Sequence, residues 1–232
     1  MKILGVESSA TAASCAICID GKIIAQQFSN TGLTHSQTLM PMIDNTLKSA
    51  GFALNDMDYI AVSNGPGSFT GVRIGVSAVK GMAQPLDLKC IEVSTLEAIS
   101  KPLENTGCYA VSVMDARCNQ VYTAQFDCVC GFVRKSDDDA ISIDELAEQL
   151  KCVDKPIVLI GDGTQVAYNK LKDILNNIYM ASPSVRYQSA ANVCLIAAEK
   201  IENGESACSA HSVLPKYLRL SQAERELKNK NK

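Results

Sequence analysis

Residues 60–83, IAVSNGPGSFTGVRIGVSAVKGMA, constrain the fold more than any other stretch of the chain. They open on the apolar end of a strand, Ile60-Ala61-Val62, and turn through Ser63-Asn64-Gly65-Pro66-Gly67-Ser68. From about Phe69 they settle into a helical mixture of small and β-branched residues. Gly65 and Gly67 open backbone angles closed to other residues, and Pro66 fixes φ between them. Ser68 or Thr70 can cap the orphan amides of the helix that follows. Such a strand–turn–helix junction suits an anion at the helix start, or another backbone approaching closely. The dinucleotide fingerprint would need a third glycine where Thr70 stands, and no Walker lysine follows Gly71. Two readings stay open: phosphate contact at the turn, or a turn whose shape only positions the helix.

Along that helix Gly71, Gly75 and Ser77/Ala78 leave one side nearly bare, while Val72, Val76, Val79 and Ala83 make a second, apolar side. Glycine inside a helix costs about 1 kcal/mol relative to alanine. Two of them four apart therefore imply close approach, either by the chain's own sheet or by a second subunit. Arg73 lies between these sides, in reach of an acidic partner or of the loop itself.

The 232 residues are 47% hydrophobic and 20% charged, enough for a real core and consistent with two small domains. A formal net charge of -3, no tryptophan and 5% aromatics give no general reason to bind nucleic acid directly. The opening MKILGVESSA lacks the apolar run of a signal peptide, and no later segment has the length of a membrane span. The expectation is a cytoplasmic protein with no membrane contact. Ten cysteines are scattered through the chain. Cys15 and Cys18 have CxxC spacing in a strand pattern, which sends them to opposite faces; Cys128 and Cys130 face one way but offer only two ligands. They read as reduced, small hydrophobic residues, with no zinc site.

Taken in order, residues 2–6 form a buried strand ending in Glu7-Ser8-Ser9, where a phosphate or hydrated Mg²⁺ could be held or a local cap made. Residues 13–19 and 22–28 read as strands joined by the two-residue turn Asp20-Gly21. His35 begins a helix to Ala50 with Leu39, Met42/Ile43 and Leu47 on the core stripe, Met40 off it, and a kink expected near Pro41. His35 reads as a base, a ligand, a cap or a packed residue. Residues 88–93 are a strand, Ser94 starts a helix, and 102–107 read as a linker. The opening theme then recurs about 108 residues on: an apolar strand ends in Asp115-Ala116-Arg117 and a second strand follows, a pattern of duplication. Asp137-Asp138-Asp139 reads as a solvated loop, and Gly161-Asp162-Gly163-Thr164 as a second strand–glycine–helix junction. An alanine-rich helix spans 189–201, and the lysine-rich end is a frayed tail.

These features together resemble the TsaB (YeaZ) family. The resemblance rests on residues 65–75, GPGSFTGVRIG, with ILGVESS at the start, His35-Ser-Gln and Leu39-Met-Pro41, Asp115-Ala-Arg117 with Val121-Tyr122, and Pro215-Lys-Tyr-Leu-Arg219 before Ala223-Glu224. It implies an α/β actin/sugar-kinase/Hsp70-like fold of two duplicated ribonuclease-H-like domains. Residues 1–103 would form the first, completed by a C-terminal segment at about 190–221; residues 104–189 the second; and 222–232 a basic flexible tail. It also implies a function: a non-catalytic subunit in making N6-threonylcarbamoyladenosine at position 37 of tRNAs that read codons starting with A. The implied partners are a homologous TsaD-like transferase and a TsaE-like ATPase, with a homodimer when alone and tRNA contact only through the complex. The partner interface would draw on His35, Leu39, Met40, Met42 and Ile43 of the first helix and on Thr70, Gly71, Val72, Arg73, Gly75, Val76 and Val79 of the second. ATP or ADP with Mg²⁺ could sit at the complex interface, touched by Glu7, Ser8, Gly65 and Gly67. The transferase's paired metal-binding histidines have no counterpart, since the chain has only His35 and His211. The alternative is a small actin-fold ATPase or sugar-kinase-like phosphotransferase.

Overall fold

The computed structural model describes residues 1–117 and 119–219. Cys118, the pair Ala223-Glu224 and the expected basic tail at 222–232 lie outside the described residues. The first half begins with β1 (Lys2–Glu7), β2 (Ala13–Ile19) and β3 (Lys22–Ser29), an antiparallel meander in which Lys2 faces Ile19 and Glu7 faces Ser14. Asp20 and Gly21 both take positive φ, 47° and 76°, as a two-residue hairpin turn of this hand requires. Next come α1 (His35–Ala50), β4 (Tyr59–Gly65), α2 (Phe69–Ala83), β5 (Lys89–Ser94) and α3 (Thr95–Ser100). β4 runs parallel to β1, and the sheet order is β3-β2-β1-β4-β5.

The second half repeats the plan. β6 (Tyr109–Asp115) and β7 (Gln120–Asp127) pair antiparallel, followed by β8 (Val133–Arg134), β9 (Asp139–Ser142), α4 (Ile143–Leu150), β10 (Ile157–Ile160), α5 (Thr164–Leu171), β11 (Ile178–Met180) and α6 (Ala190–Glu202). The order β11-β10-β6-β7-β8 mirrors the first sheet, with the place of β3 shared by β8 and β9 at the two ends of β7.

Period-two alternation divides each sheet between two cores. Leu4, Val6, Cys15 and Ile17 pack under α1 and α2, whereas Ile3, Ala16 and Cys18 pack under α6. Cys15 and Cys18 thus point to opposite faces, as their strand spacing demands. In the second sheet Val111, Val113 and Leu159 meet α4 and α5, while Ala110, Ala124 and Phe126 meet Leu96 and Ile99 of α3. The halves therefore exchange helices, α3 covering the second sheet and α6 the first. Burying a side chain such as Phe126 or Ile99 contributes about 1.5–3 kcal/mol, so the exchange also fixes one half on the other.

α1 runs through Pro41 as one helix. Two local features differ from the sequence reading. Residues Lys101–Leu103, assigned in part to a linker, form a single 3-10 turn. The acidic run is a solvated loop only in part: Asp137 is exposed, Asp139 opens β9, and the Asp138 side chain is only 1% exposed because Arg134, Lys216 and Ser94 all bind it. Among the described residues no helix is long and apolar enough to cross a membrane.

Candidate functional site

The C-terminal ends of β1 and β4 face those of β6 and β10 across a cleft of about 630 Å³. In α/β sheets this is where ligands usually bind. Its walls are residues 9–11, 66–70, 114–117, Tyr122, Asp162 and the C-terminal segment 216–219. Glu7 does not reach it. The side chain is fully buried, and its carboxylate accepts the Ser9 N–H at 2.6 Å and the Ser63 hydroxyl. Burial pushes the Glu7 carboxyl above the usual range, and the bonds from Ser63 and Ser9 offset only part of this. Ser8 is buried as well and donates its hydroxyl to the Gly71 carbonyl at 2.9 Å. Gly65 takes φ +125° beneath Lys216, whose carbonyl oxygen a Cβ there would overlap. The Lys216 N–H donates to the Asn64 carbonyl at 2.7 Å.

Of the four residues expected to touch nucleotide, only Gly67 lines the cleft. One amide at each glycine turn is engaged: Ser68 N–H donates to the Ser9 carbonyl at 2.6 Å, and Gly163 N–H to the Val113 carbonyl at 3.0 Å. The Glu7 carboxylate is thus sealed from the cleft, and these two amides are not free to face a phosphate. The second half keeps its acids nearer solvent. Asp115 is exposed and accepts the Arg117 N–H at 2.7 Å. Asp162 is pushed up by burial, with Gln188 opposing the shift from 3.3 Å. Arg117, Lys216 and Arg219 bring positive charge to the same walls.

α1 and α2 lie side by side on the first sheet, and their outward faces make the second candidate surface. The structure corrects the interface expected of them. Leu39, Met42, Ile43, Gly71, Val72, Gly75, Val76 and Val79 are buried within the chain. The two glycines let α2 descend onto the first half's own loop: a Cβ at Gly71 would overlap the Ser8 carbonyl oxygen, and one at Gly75 the Ser8 hydroxyl. The bare side of the helix thus serves internal packing. His35 is half-buried and donates from Nε2 to the Ala10 carbonyl at 2.6 Å, tying the head of α1 to the loop after β1. What remains outward is Met40 at 47% exposure, Thr70 and Arg73.

Arg73 is held in a built arrangement that the sequence reading did not find. Its guanidinium carbon lies 3.8 Å from the centre of the Phe69 ring, and its Nε donates to the Tyr217 hydroxyl at 2.7 Å. Phe69 and Tyr217 stack with centroids 4.3 Å apart. A shallow hollow lined by Phe69, Thr70, Arg73, Ile74 and Ser77 lies beside them. Phe69 and Arg73 stand four apart on one helix and therefore share a face; that spacing was the available signal. Tyr217 arrives from the far end of the chain, and no local pattern announces it.

The comparisons agree with this geometry. The family model described as TsaD: tRNA N6-adenosine threonylcarbamoyltransferase matches residues 29–227. The tRNA threonylcarbamoyladenosine biosynthesis protein TsaB of Bacillus subtilis is 28% identical, over 97% of this chain and 96% of its own length. The protein of the same name from Escherichia coli is 29% identical, over 99% of this chain and all of its own. Among solved structures, a Pseudomonas aeruginosa protein described as similar to peptidase YEAZ superposes with a TM-score of 0.81 at 25% identity, covering 94% of this chain and 99% of that one. The repeated sheet order and exchanged helices are those of the actin/sugar-kinase/Hsp70-like fold. The chain belongs to the family of that threonylcarbamoyltransferase model and, within it, to the TsaB (YeaZ) group.

Proposed function

We propose that this chain is a non-catalytic partner subunit in the synthesis of threonylcarbamoyladenosine at position 37 of tRNA. It pairs with a homologous TsaD-like transferase through the outward face of α1 and α2, a TsaE-like ATPase joins the pair, and tRNA is contacted through the assembly. The observation that carries this reading is the outward Arg73–Tyr217 pair on the half-buried Phe69 ring, continuous with Thr70 and Ile74, with Met40 exposed on the neighbouring helix. An arginine fixed over an aromatic ring loses little freedom on association, which is the property of an interface anchor. In the absence of the transferase the same face would pair two copies of the chain.

Affinity for the purified transferase subunit, measured by calorimetry, tests the reading with Arg73→Glu and Met40→Asp. Neither side chain is part of the core, so both variants should keep the parent's melting temperature within about 2–4 °C, equivalent to roughly 1 kcal/mol. Each should weaken pairing at least tenfold, about 1.4 kcal/mol. Full affinity in both would remove this face from the interface.

A further inference from the structure

Two of the scattered cysteines come together where β6 begins and β7 ends. Gly107 takes φ +79°, its N–H donates to the Cys128 carbonyl at 3.1 Å, and the Cys128 N–H donates to the Cys108 carbonyl at 2.9 Å. This is the bonding of a bulge with a left-handed glycine at its first position, which inserts one residue and leaves the next opposed to its partner. The bulge continues a ladder in which Tyr109 faces Asp127, so Cys108 stands opposite Cys128. Both side chains fall on the sheet face of Ala110 and Phe126, in the cluster that includes Leu96 and Ile99 of α3. Opposed residues of an antiparallel pair have Cα atoms about 4.5–5.5 Å apart, within the roughly 4.4–6.8 Å a disulfide spans.

The two thiols are near enough across the strand pair to perturb each other's ionisation. The Thr106 hydroxyl donates to the Leu103 carbonyl at 2.5 Å and lies 3.2 Å from the Cys108 sulfur, where its oxygen can accept from the Cys108 thiol. A thiol with some access to solvent opposed to a sealed one is the arrangement of an attacking and a resolving cysteine. Cys108 retains 5% exposure whereas Cys128 has none, so Cys108 is the attacking member.

We propose that Cys108 and Cys128 form a reversible dithiol–disulfide pair whose oxidant is a hydroperoxide. The Cys108 thiol gives up its proton and attacks the peroxide, the O–O bond breaks, and one oxygen stays on sulfur as sulfenic acid while the other takes that proton and leaves as water or alcohol. The Cys128 sulfur then attacks the Cys108 sulfur. The S–S bond forms, the S–O bond breaks, and the hydroxyl leaves as water with the Cys128 proton. Two thiols lose two electrons and the peroxide gains them. A small-molecule thiol reverses the step by exchange. Because the pair lies among the residues that join α3 to the second sheet, its state acts on the seam between the halves.

The test is to expose the full chain, natively folded, to hydrogen peroxide, block the remaining thiols, and map the digest by mass spectrometry. The expected product is a cross-linked peptide pair joining Cys108 to Cys128, lighter by two hydrogens and restored by dithiothreitol. Cys130→Ser should leave the yield unchanged, and Cys108→Ala should abolish it. Oxidation confined to the exposed Cys130 and Cys152 with Cys108 and Cys128 still reduced would overturn the proposal, as would a cross-link that omits either. The mapping of the unsubstituted chain decides the matter even if a variant fails to fold.

Discussion

Removing the carboxylate of Asp138 should loosen the junction of the halves by an amount the structure allows to be bounded. Its oxygens accept from Arg134 at 2.8 Å, Lys216 at 3.0 Å and the Ser94 hydroxyl at 2.9 Å. Those groups come from β8, from the C-terminal segment and from the end of β5, so one side chain joins both halves and the segment between them. Breaking a fully buried ion pair costs about 3–5 kcal/mol. Here the Arg134 and Lys216 side chains are 31% and 50% exposed, and water can take up their charge once Asp138 is gone. About 2–3 kcal/mol is therefore expected for Asp138→Ala, which for a chain of this size lowers the melting temperature by roughly 5–10 °C. The pH dependence has a definite sign. Burial works to raise the Asp138 carboxyl, but Arg134, Lys216 and Ser94 outweigh it and leave it below the ordinary value of 3.8. A depressed carboxyl stabilises fully above its unfolded pKa and loses that contribution as pH falls through the folded one. Urea midpoints of parent and Asp138→Ala should differ by a constant amount from pH 5 to 8 and converge below pH about 4. A variant that melts within 1 °C of the parent at pH 7, or a gap that persists unchanged at pH 3, would refute the reasoning.

Three further outcomes follow from the same geometry. Gly75→Leu should lose native circular dichroism or melt far below the parent, because overpacking costs about 1–3 kcal/mol and Ser8 is fixed by its bond to Gly71; a well-folded variant would show that α2 does not need this close approach. Tyr217→Phe, which deletes only the hydroxyl bound by Arg73, should weaken partner affinity by a few-fold with melting unchanged, a charge-assisted bond contributing about 1.5–3 kcal/mol before exposure reduces it. Mg-ATP titrated into the isolated chain should give no saturable heat; micromolar binding would return Glu7 and the glycine turns to a ligand role.

Much of the fold was legible because its signals are local. Asp20-Gly21 announced a hairpin through the backbone angles it permits, and α1 matched its expected span from His35 to Ala50, with Met40 left off the core stripe. The duplication could be read from the strand-ending acids Glu7 and Asp115, and the two sheets share one strand order. Spacing could not reveal which surface a small residue faces. Gly71 and Gly75 promised close approach, and the approaching group proved to be the loop after β1. The aspartate run misled for a similar reason: three acids together read as solvated until the cations that bury Asp138 arrive from residues 134 and 216. Tyr217 on Arg73 is another contact between distant segments, and the pairing of Cys108 with Cys128 rests on a strand register that cysteine spacing does not encode.

The two halves differ at the point where their common plan would place a ligand. In the first half α2 carries Gly71 and Gly75 three and seven residues after Ser68, and the helix settles onto the loop that follows Glu7. In the second half Asp115 at the end of β6 stays exposed. Glu7, at the end of β1, is part of the core. Burial raises its carboxyl above the ordinary 4.5 in spite of the bonds from Ser63 and Ser9. A raised acid favours the folded state fully below its unfolded pKa and withdraws that support as pH climbs through the folded value. Glu7→Gln keeps the shape and an oxygen for the Ser9 N–H but cannot ionise. The parent should therefore lose urea stability relative to Glu7→Gln as pH rises above about 4.5, with the gap widening toward pH 8. A flat gap over that range, or one that narrows, would mean that Glu7 is not held above its ordinary range, and the sealed first site would have to be reconsidered as an open one.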